Sequence, residues 1–263
     1  HPPAVARGVD EPGAHRAQPR LPVPGVGEVH RVEVRVGGRG QALAAGHQLI
    51  TLARSELQLD APQGAHHHLQ VDLASAEGAQ EAAKALQALI SQTQAQRYVL
   101  INNAGTVDPV GQASHLLDAQ AITQALQLNV ASVMSLTAAF LQGAPKDAQR
   151  QVLNISSGAG RKPVSGWAVY GCSKAALDFY TQTLKLENPE LAVCSLAPGV
   201  VDTDMQGHIR SQSRDQFPNL SRFIDLHQQG QLSSPDDTAE RIFRHLNSPA
   251  FGQHVLDDIR HYE

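Results

Sequence analysis

Aromatic residues make up only 4% of this 263-residue chain, too few for the stacking platforms that hold single-stranded nucleic acid. A basic surplus is missing as well. Lys plus Arg number 21 against 25 Asp plus Glu, a net charge of −4, whereas proteins that track phosphate backbones carry excess positive charge. No nucleic-acid partner is expected. Cysteine falls to two residues, Cys172 and Cys194, which cannot make a disulfide framework. With no signal peptide in view, that usage fits a reducing, cytoplasmic setting. Apolar runs stop far short of 18 residues, so no membrane-spanning helix is expected. What is present is a globular composition. Hydrophobic residues at 41%, with 21 glycines, supply a sizeable core and exclude a wholly disordered chain.

Residues 1–46 differ from the rest. They use only ten amino-acid types, and six of the 15 prolines fall in the first 24 positions, where no regular element tolerates them. Residues 31–36 alternate as a strand does; the remainder of the segment reads as irregular. We therefore set residues 1–46 apart as an atypical segment and take residues 47–263 as one domain. Within it, periodicity predicts strands at 48–53, 69–73, 97–101, 151–156, 191–197 and 253–257. Helices are predicted at 75–95, 118–142, 168–187 and 235–247. Strands alternating with helices of this length imply an α/β fold: a single Rossmann-type domain, its doubly wound parallel sheet carrying helices on both faces.

The sharpest local signal is Tyr170-Gly-Cys-Ser-Lys174. A spacing of four on a helix stacks two side chains on one face. A free tyrosine, with a pKa of about 10, is a poor proton donor at neutral pH; an adjacent ammonium stabilises the phenolate and makes the pair useful in acid–base work. Asn102-Asn103-Ala104-Gly105 closes one strand, Asn129 sits in Leu-Asn-Val, Ser157 closes another strand, and Pro198-Gly199 follows a third. Ends of parallel strands are where open α/β sheets bind ligands. In this order and at this spacing, these residues resemble the short-chain dehydrogenase/reductase family across residues 47–263. Gly166-Trp167-Ala168-Val169-Tyr170 and the stretch from Pro198 to Gln206 look like its sepiapterin reductase and benzil-reductase-like branch.

The resemblance implies a catalytic set. Tyr170 would be the proton donor to a substrate carbonyl, Lys174 would lower its pKa and hold the nicotinamide ribose, and Ser157 would hydrogen-bond the carbonyl oxygen. Asn129 would position a water in the proton relay. It also implies cofactor contacts from Asp72 and Leu73, from Asn103, Ala104 and Gly105, from Pro198 and Gly199, and from Thr203. Cofactor choice follows from charge: strand 48–53 ends at Arg54, a cation suited to the 2′-phosphate of NADP rather than to the bare ribose of NAD. The implied activity is NADPH-dependent reduction of a small-molecule ketone or diketone, pterin-like compounds included. Asp257 is the nearest match to the acid that anchors the pterin in that branch, at the expense of a one-residue shift. Trp167 is either a substrate contact or a packing residue at the cleft mouth.

Other features fit less chemistry. The run His66-His67-His68 cannot face one way on a strand and has no further ligand at metal-site spacing, so no metal is expected. Cys172 lacks a suitably spaced His and reads as a buried structural thiol. The family's T-G-x-x-x-G-x-G loop, whose backbone cradles the pyrophosphate, is absent. Gly37-Gly38-Arg39-Gly40 is glycine-rich, but no helix of two turns fits before His47, and we assign no glycine to that role. The segment to about residue 41 reads as an out-of-frame translation of GC-rich coding sequence; the alternative is a degenerate N-terminus and a catalytically impaired binding or regulatory protein that keeps the fold. Finally, helices 118–142 and 168–187 carry more apolar surface than one face needs, including Leu126, Val130 and Phe179. The family pairs these helices across a two-fold axis, implying a homodimer or homotetramer.

Overall fold

The computed structural model describes the backbone of residues 29–34 and residues 46–262, except 58 and 60. The strands are β1 (Val29–Val34), β2 (Gln48–Ala53), β3 (His66–Gln70), β4 (Arg97–Asn102), β5 (Gln149–Ile155), β6 (Ala192–Ala197) and β7 (Leu256–Asp258), with β2, β4, β5 and β6 the apolar ones. All pair in parallel in one sheet of order β3-β2-β1-β4-β5-β6-β7. Strand order reverses between β1 and β4, which opens a crevice at the C-terminal ends of the strands. β1 lies within the segment set apart by composition yet sits at the centre of this sheet, so that boundary does not divide the fold. The glycine-rich stretch 37–40 lies outside the described residues.

Buried residues alternate between two layers, as strands covered on both faces require. On one side Leu52, Leu100, Val152 and Val193 pack with Leu86 and Ile90 of α1 (Ala76–Ser91) and with Leu136 and Phe140 of α3 (Ser132–Gly143). On the other, Val99, Ile101, Leu153 and Leu196 meet Ile242 and Leu246 of α7 (Pro235–Leu246). Helix starts are chemically marked. Ser75 accepts from the Gly78 amide and caps α1; Asp118 does the same for α2 (Ala119–Leu126) through the Ala121 amide. Ser234 precedes Pro235 at the start of α7, with acids in the first turn and bases in the last.

The bounds or continuity of some elements differ from the prediction. β3 starts at His66, three residues earlier than the predicted 69–73, because Thr51 Oγ1 bonds both His66 Nε2 (2.8 Å) and His68 Nδ1 (2.9 Å); hydrogen bonds rather than apolar burial hold this edge. The predicted helix 118–142 is interrupted by a wide π turn, Gln127–Ala131, between α2 and α3. The continuous stretch Ala119–Gly143 is also apolar enough, with mean hydropathy 1.3, to match a membrane span by composition. Its buried half is instead committed to the sheet through Leu136 and Phe140, as in a core helix.

Candidate active site

Helix α4 (Ala168–Glu187) delivers Tyr170 and Lys174 to the C-terminal ends of β4 and β5. Both side chains are buried, and Lys174 Nζ lies 5.7 Å from the Tyr170 ring centre. The ammonium donates to the Ile155 carbonyl at the end of β5 (2.8 Å). Ser157, two residues further on, accepts from the Ala159 amide (3.2 Å) and hydrogen-bonds the Tyr170 hydroxyl. The expected set of Ser157, Tyr170 and Lys174 is therefore assembled. Asn129, in the π turn, is pinned by the Thr106 backbone: its Oδ1 accepts from the amide (2.8 Å) and its Nδ2 donates to the carbonyl (2.9 Å). That same amide group also meets Ser173 Oγ on α4 (2.9 Å), which ties the loop after β4 to the catalytic helix.

The electrostatics differ in one respect from the simple pairing argument. Burial pushes Tyr170 above its ordinary pKa, and the hydrogen bond from Ser157 opposes this without offsetting it. Burial also depresses Lys174 to about 8, opposed by the nearby Asp178 carboxylate. Tyr170 is thus protonated at neutral pH, the state a proton donor requires.

Sequence reading missed the groups that brace this set. Asp178 follows Lys174 by one further helical turn, the same spacing that marks Tyr170 and Lys174, and that repeat was the available signal. Its Oδ1 accepts from Ser195 Oγ (2.6 Å) and its Oδ2 from Arg161 Nε (3.1 Å). Arg161 also donates to the carbonyls of Ser195 (3.0 Å) and Asp257 (2.9 Å), fixing the turn that follows Ser157 to β6 and β7. Asn102 donates to Asn154 Oδ1 (2.9 Å) and Asn154 donates to Thr181 Oγ1 (2.9 Å), so Asn102 cross-links strands and helix.

Above Tyr170 sits an aromatic cluster. Trp167 stacks on Phe217 at 4.9 Å, meets Phe223 at 5.2 Å and stands edge-on to Tyr170 at 5.4 Å. Phe223 comes from α6 (Leu220–Gln228), and the buried Ile209 of the same cluster from α5 (Asp204–Arg210), so the 204–228 segment roofs the site. Gly166 lets the roof close: its φ is +88°, and a Cβ there would meet the Gln216 carbonyl at 2.6 Å.

The expected cofactor residues lie at or after the C-terminal ends of the strands. Arg54 is exposed at the end of β2, Asp72 is exposed after β3, Asn103 to Gly105 follow β4, and Pro198 and Gly199 follow β6; Thr203 is exposed at the start of α5. Leu73 is different: at 3% exposure it belongs to the core beneath α1. The described part of the crevice fits a nicotinamide nucleotide. A Cβ at Gly105 would lie 3.3 Å from Asn129 Oδ1 and 3.6 Å from Lys174 Nζ, leaving the floor open beside the catalytic lysine. Ser156 Oγ and Gln206 Oε1 are buried there without partners. Two assignments need correction. Asp257 pairs with Leu196 and so faces the α7 side, where its carboxylate accepts from Tyr262 Oη (2.5 Å); it does not reach the cleft. Asp258 takes the other face but is bound by Arg260 (2.7 Å). Cys172, expected to be buried, is exposed, because the inner face of α4 is taken by Ser173 and Lys174.

A doubly wound parallel sheet with a Ser–Tyr–Lys set at the C-terminal ends of its strands defines a Rossmann-type oxidoreductase acting on carbonyl or CH–OH groups. The chain belongs to the short-chain dehydrogenase/reductase family: residues 39–214 match the family model described as short chain dehydrogenase. It is 37% identical over 225 residues to the benzil reductase ((S)-benzoin forming) of Bacillus subtilis (strain 168), covering 82% of this chain and 90% of that one. It is 33% identical over 228 residues to the sepiapterin reductase of Xenopus tropicalis, covering 81% and 86%. Among solved structures, the KRED1-Pglu enzyme superimposes with a TM-score of 0.70 at 29% identity, covering 83% of this chain and 94% of that chain.

Proposed function

We propose that this protein is an NADPH-dependent carbonyl reductase whose substrates are aryl ketones and vicinal diketones. The observation that carries the reading is the convergence of Ser157, Tyr170 and Lys174 under an aromatic roof of Trp167, Phe217 and Phe223. When bound beside Tyr170 and Lys174, NADPH would supply the hydride for the carbonyl carbon. Ser157 orients the carbonyl oxygen, the Tyr170 hydroxyl gives it a proton, and the charge on Lys174 stabilises the tyrosinate left behind. A pterin substrate is supported less, since Asp257 is turned away from the cleft. Benzil reduction followed by NADPH absorbance tests the reading. NADPH binding by titration separates it from an inactive binding protein, the alternative raised by the missing glycine loop. No binding at millimolar NADPH overturns the enzyme reading.

Arg54 is proposed to select the cofactor. Replacing it by Asp sets a like charge beside the 2′-phosphate and is expected to lower the NADPH-to-NADH ratio of kcat/KM at least tenfold. An unchanged ratio would make Arg54 a merely solvated residue.

Assembly is proposed to be through α2, α3 and α4. Leu136 and Phe140 of these helices are consumed by the core, but Phe179 is 73% exposed and Leu126 and Met134 are partly so. A two-fold pairing of these faces gives a homodimer or, with a second interface, a tetramer. Light scattering at micromolar concentration is expected to give a multiple of the chain mass, and Phe179→Asp to reduce it to one chain. A single-chain mass for the unmutated protein rules the pairing out.

A further inference from the structure

We propose that Cys194, His245 and Asp257 form a buried site for a zinc-class divalent cation, on the face of the sheet opposite the catalytic helix. Three elements supply it. Cys194 lies two residues before Leu196 on β6 and so shares a face with Asp257, the partner of Leu196 on β7. His245 is brought over both by the last turn of α7. One ligand atom from each residue lies within 4.8 Å of the other two, and all three residues are buried. His245 Nε2 stands 3.9 Å from Asp257 Oδ2, and the His245 side chain is 1% exposed.

The second observation is an unmet one. Neither ring nitrogen of His245 has a hydrogen-bond partner, although a buried polar group left without a partner is destabilising. Its surroundings explain the deficit: Phe251 and Tyr262 cover the ring, Tyr262 stacking at 4.0 Å, while the Tyr262 hydroxyl is spent on Asp257. A cation bound to one nitrogen would meet half of that need. Zinc binds sulfur, nitrogen and carboxylate oxygen at about 2.3, 2.0 and 2.0–2.2 Å in tetrahedral sites; the three side chains would fill three positions and a water the fourth. Such bonds place donors roughly 3.2–3.8 Å apart, so the three side chains need draw in by less than about an ångström. The thiol proton leaves to solvent on binding. Thiolate and carboxylate then cancel the charge of the ion, which suits the apolar shell of Ile242, Leu246, Phe251 and Ile259. The sulfur ligand disfavours magnesium and calcium. The ion would join β6, β7 and α7, locking the last strand to the sheet.

The test uses the full chain, stripped with a chelator and dialysed against zinc or cobalt. The expected result is one zinc per chain and a thiolate-to-cobalt charge-transfer band, with a melting temperature several degrees above that of the stripped protein. Cys194→Ala and His245→Gln should each weaken metal binding at least tenfold. Cys172→Ala should retain it, as should a variant with His66, His67 and His68 all replaced by Asn. Substoichiometric zinc, a cobalt spectrum without the sulfur band, or a band that survives Cys194→Ala overturns the proposal. So does loss of zinc with the edge histidines. Because the unmutated chain alone gives stoichiometry and spectrum, misfolding of a core variant does not shelter the idea. Failure of carbonyl reduction has no bearing on these readouts.

Discussion

Tyr170→Phe is expected to lower turnover of benzil with NADPH roughly a thousandfold, in the range that loss of a positioned proton donor produces, while NADPH affinity changes less than threefold. Only the hydroxyl is removed. The ring keeps its edge contact with Trp167, and Lys174 keeps its bond to the Ile155 carbonyl, so the nicotinamide end of the crevice retains its shape. Steady-state kinetics together with a binding titration check both halves. Turnover within tenfold of the unmutated protein would remove Tyr170 from the chemistry.

Lys174→Met is expected to separate stability from activity. The folded protein holds this lysine at about 8, below its ordinary 10.5, because burial penalises its charge. Between those values the unfolded chain binds more protons than the folded one, so this group makes stability rise with pH across that window. Below about 8 the buried ammonium weighs against folding by about 3 kcal/mol, at 1.4 kcal/mol per unit. Methionine removes that burden at the expense of the bond to the Ile155 carbonyl, worth about 1 kcal/mol. The variant should therefore melt a few degrees higher at pH 7 and lose that advantage by about pH 10. Reduction should fall at least a hundredfold, since the Ser157 hydrogen bond is then left to stabilise the tyrosinate without the lysine charge. In the unmutated protein, kcat/KM for reduction should be level at neutral pH and decline above about 8 as Lys174 discharges. Calorimetry at the two pH values and a pH–rate profile decide the matter; a less stable variant at pH 7 would contradict the burial argument.

How far these elements were legible depended on what holds each one. Helix α4 was read at both ends although polar Ser173, Lys174, Asp178 and Thr181 share its buried face with Val169, Leu177 and Leu184, and the Ser157, Tyr170 and Lys174 set was read because two spacings fix it. β3 was misplaced by three residues because His66 and His68 gain their place from bonds to Thr51, which hydropathy does not register. Asp257 was matched to the pterin-anchoring acid by resemblance, at a one-residue shift; β7 has only three residues, and pairing with β6 decides which of its side chains faces the cleft. Phe217, the centre of the aromatic roof, lies in irregular chain between α5 and α6, where no period announces burial. Arg161 joins β6, β7 and α4 through contacts far apart in sequence, and such contacts leave no local trace.

The π turn at Gln127–Ala131 bears on how long this stretch of chain must be. A turn of that kind holds one residue more than the α-helical register needs. The segments on either side keep the phase of an uninterrupted helix one residue shorter, so Leu136 and Phe140 would meet the sheet equally well without it. The surplus residue serves neither the core nor the helix ladder. It falls where Asn129 reaches both Thr106 and Ser173, and the residue count of α2 through α3 is accordingly set by the cleft rather than by packing.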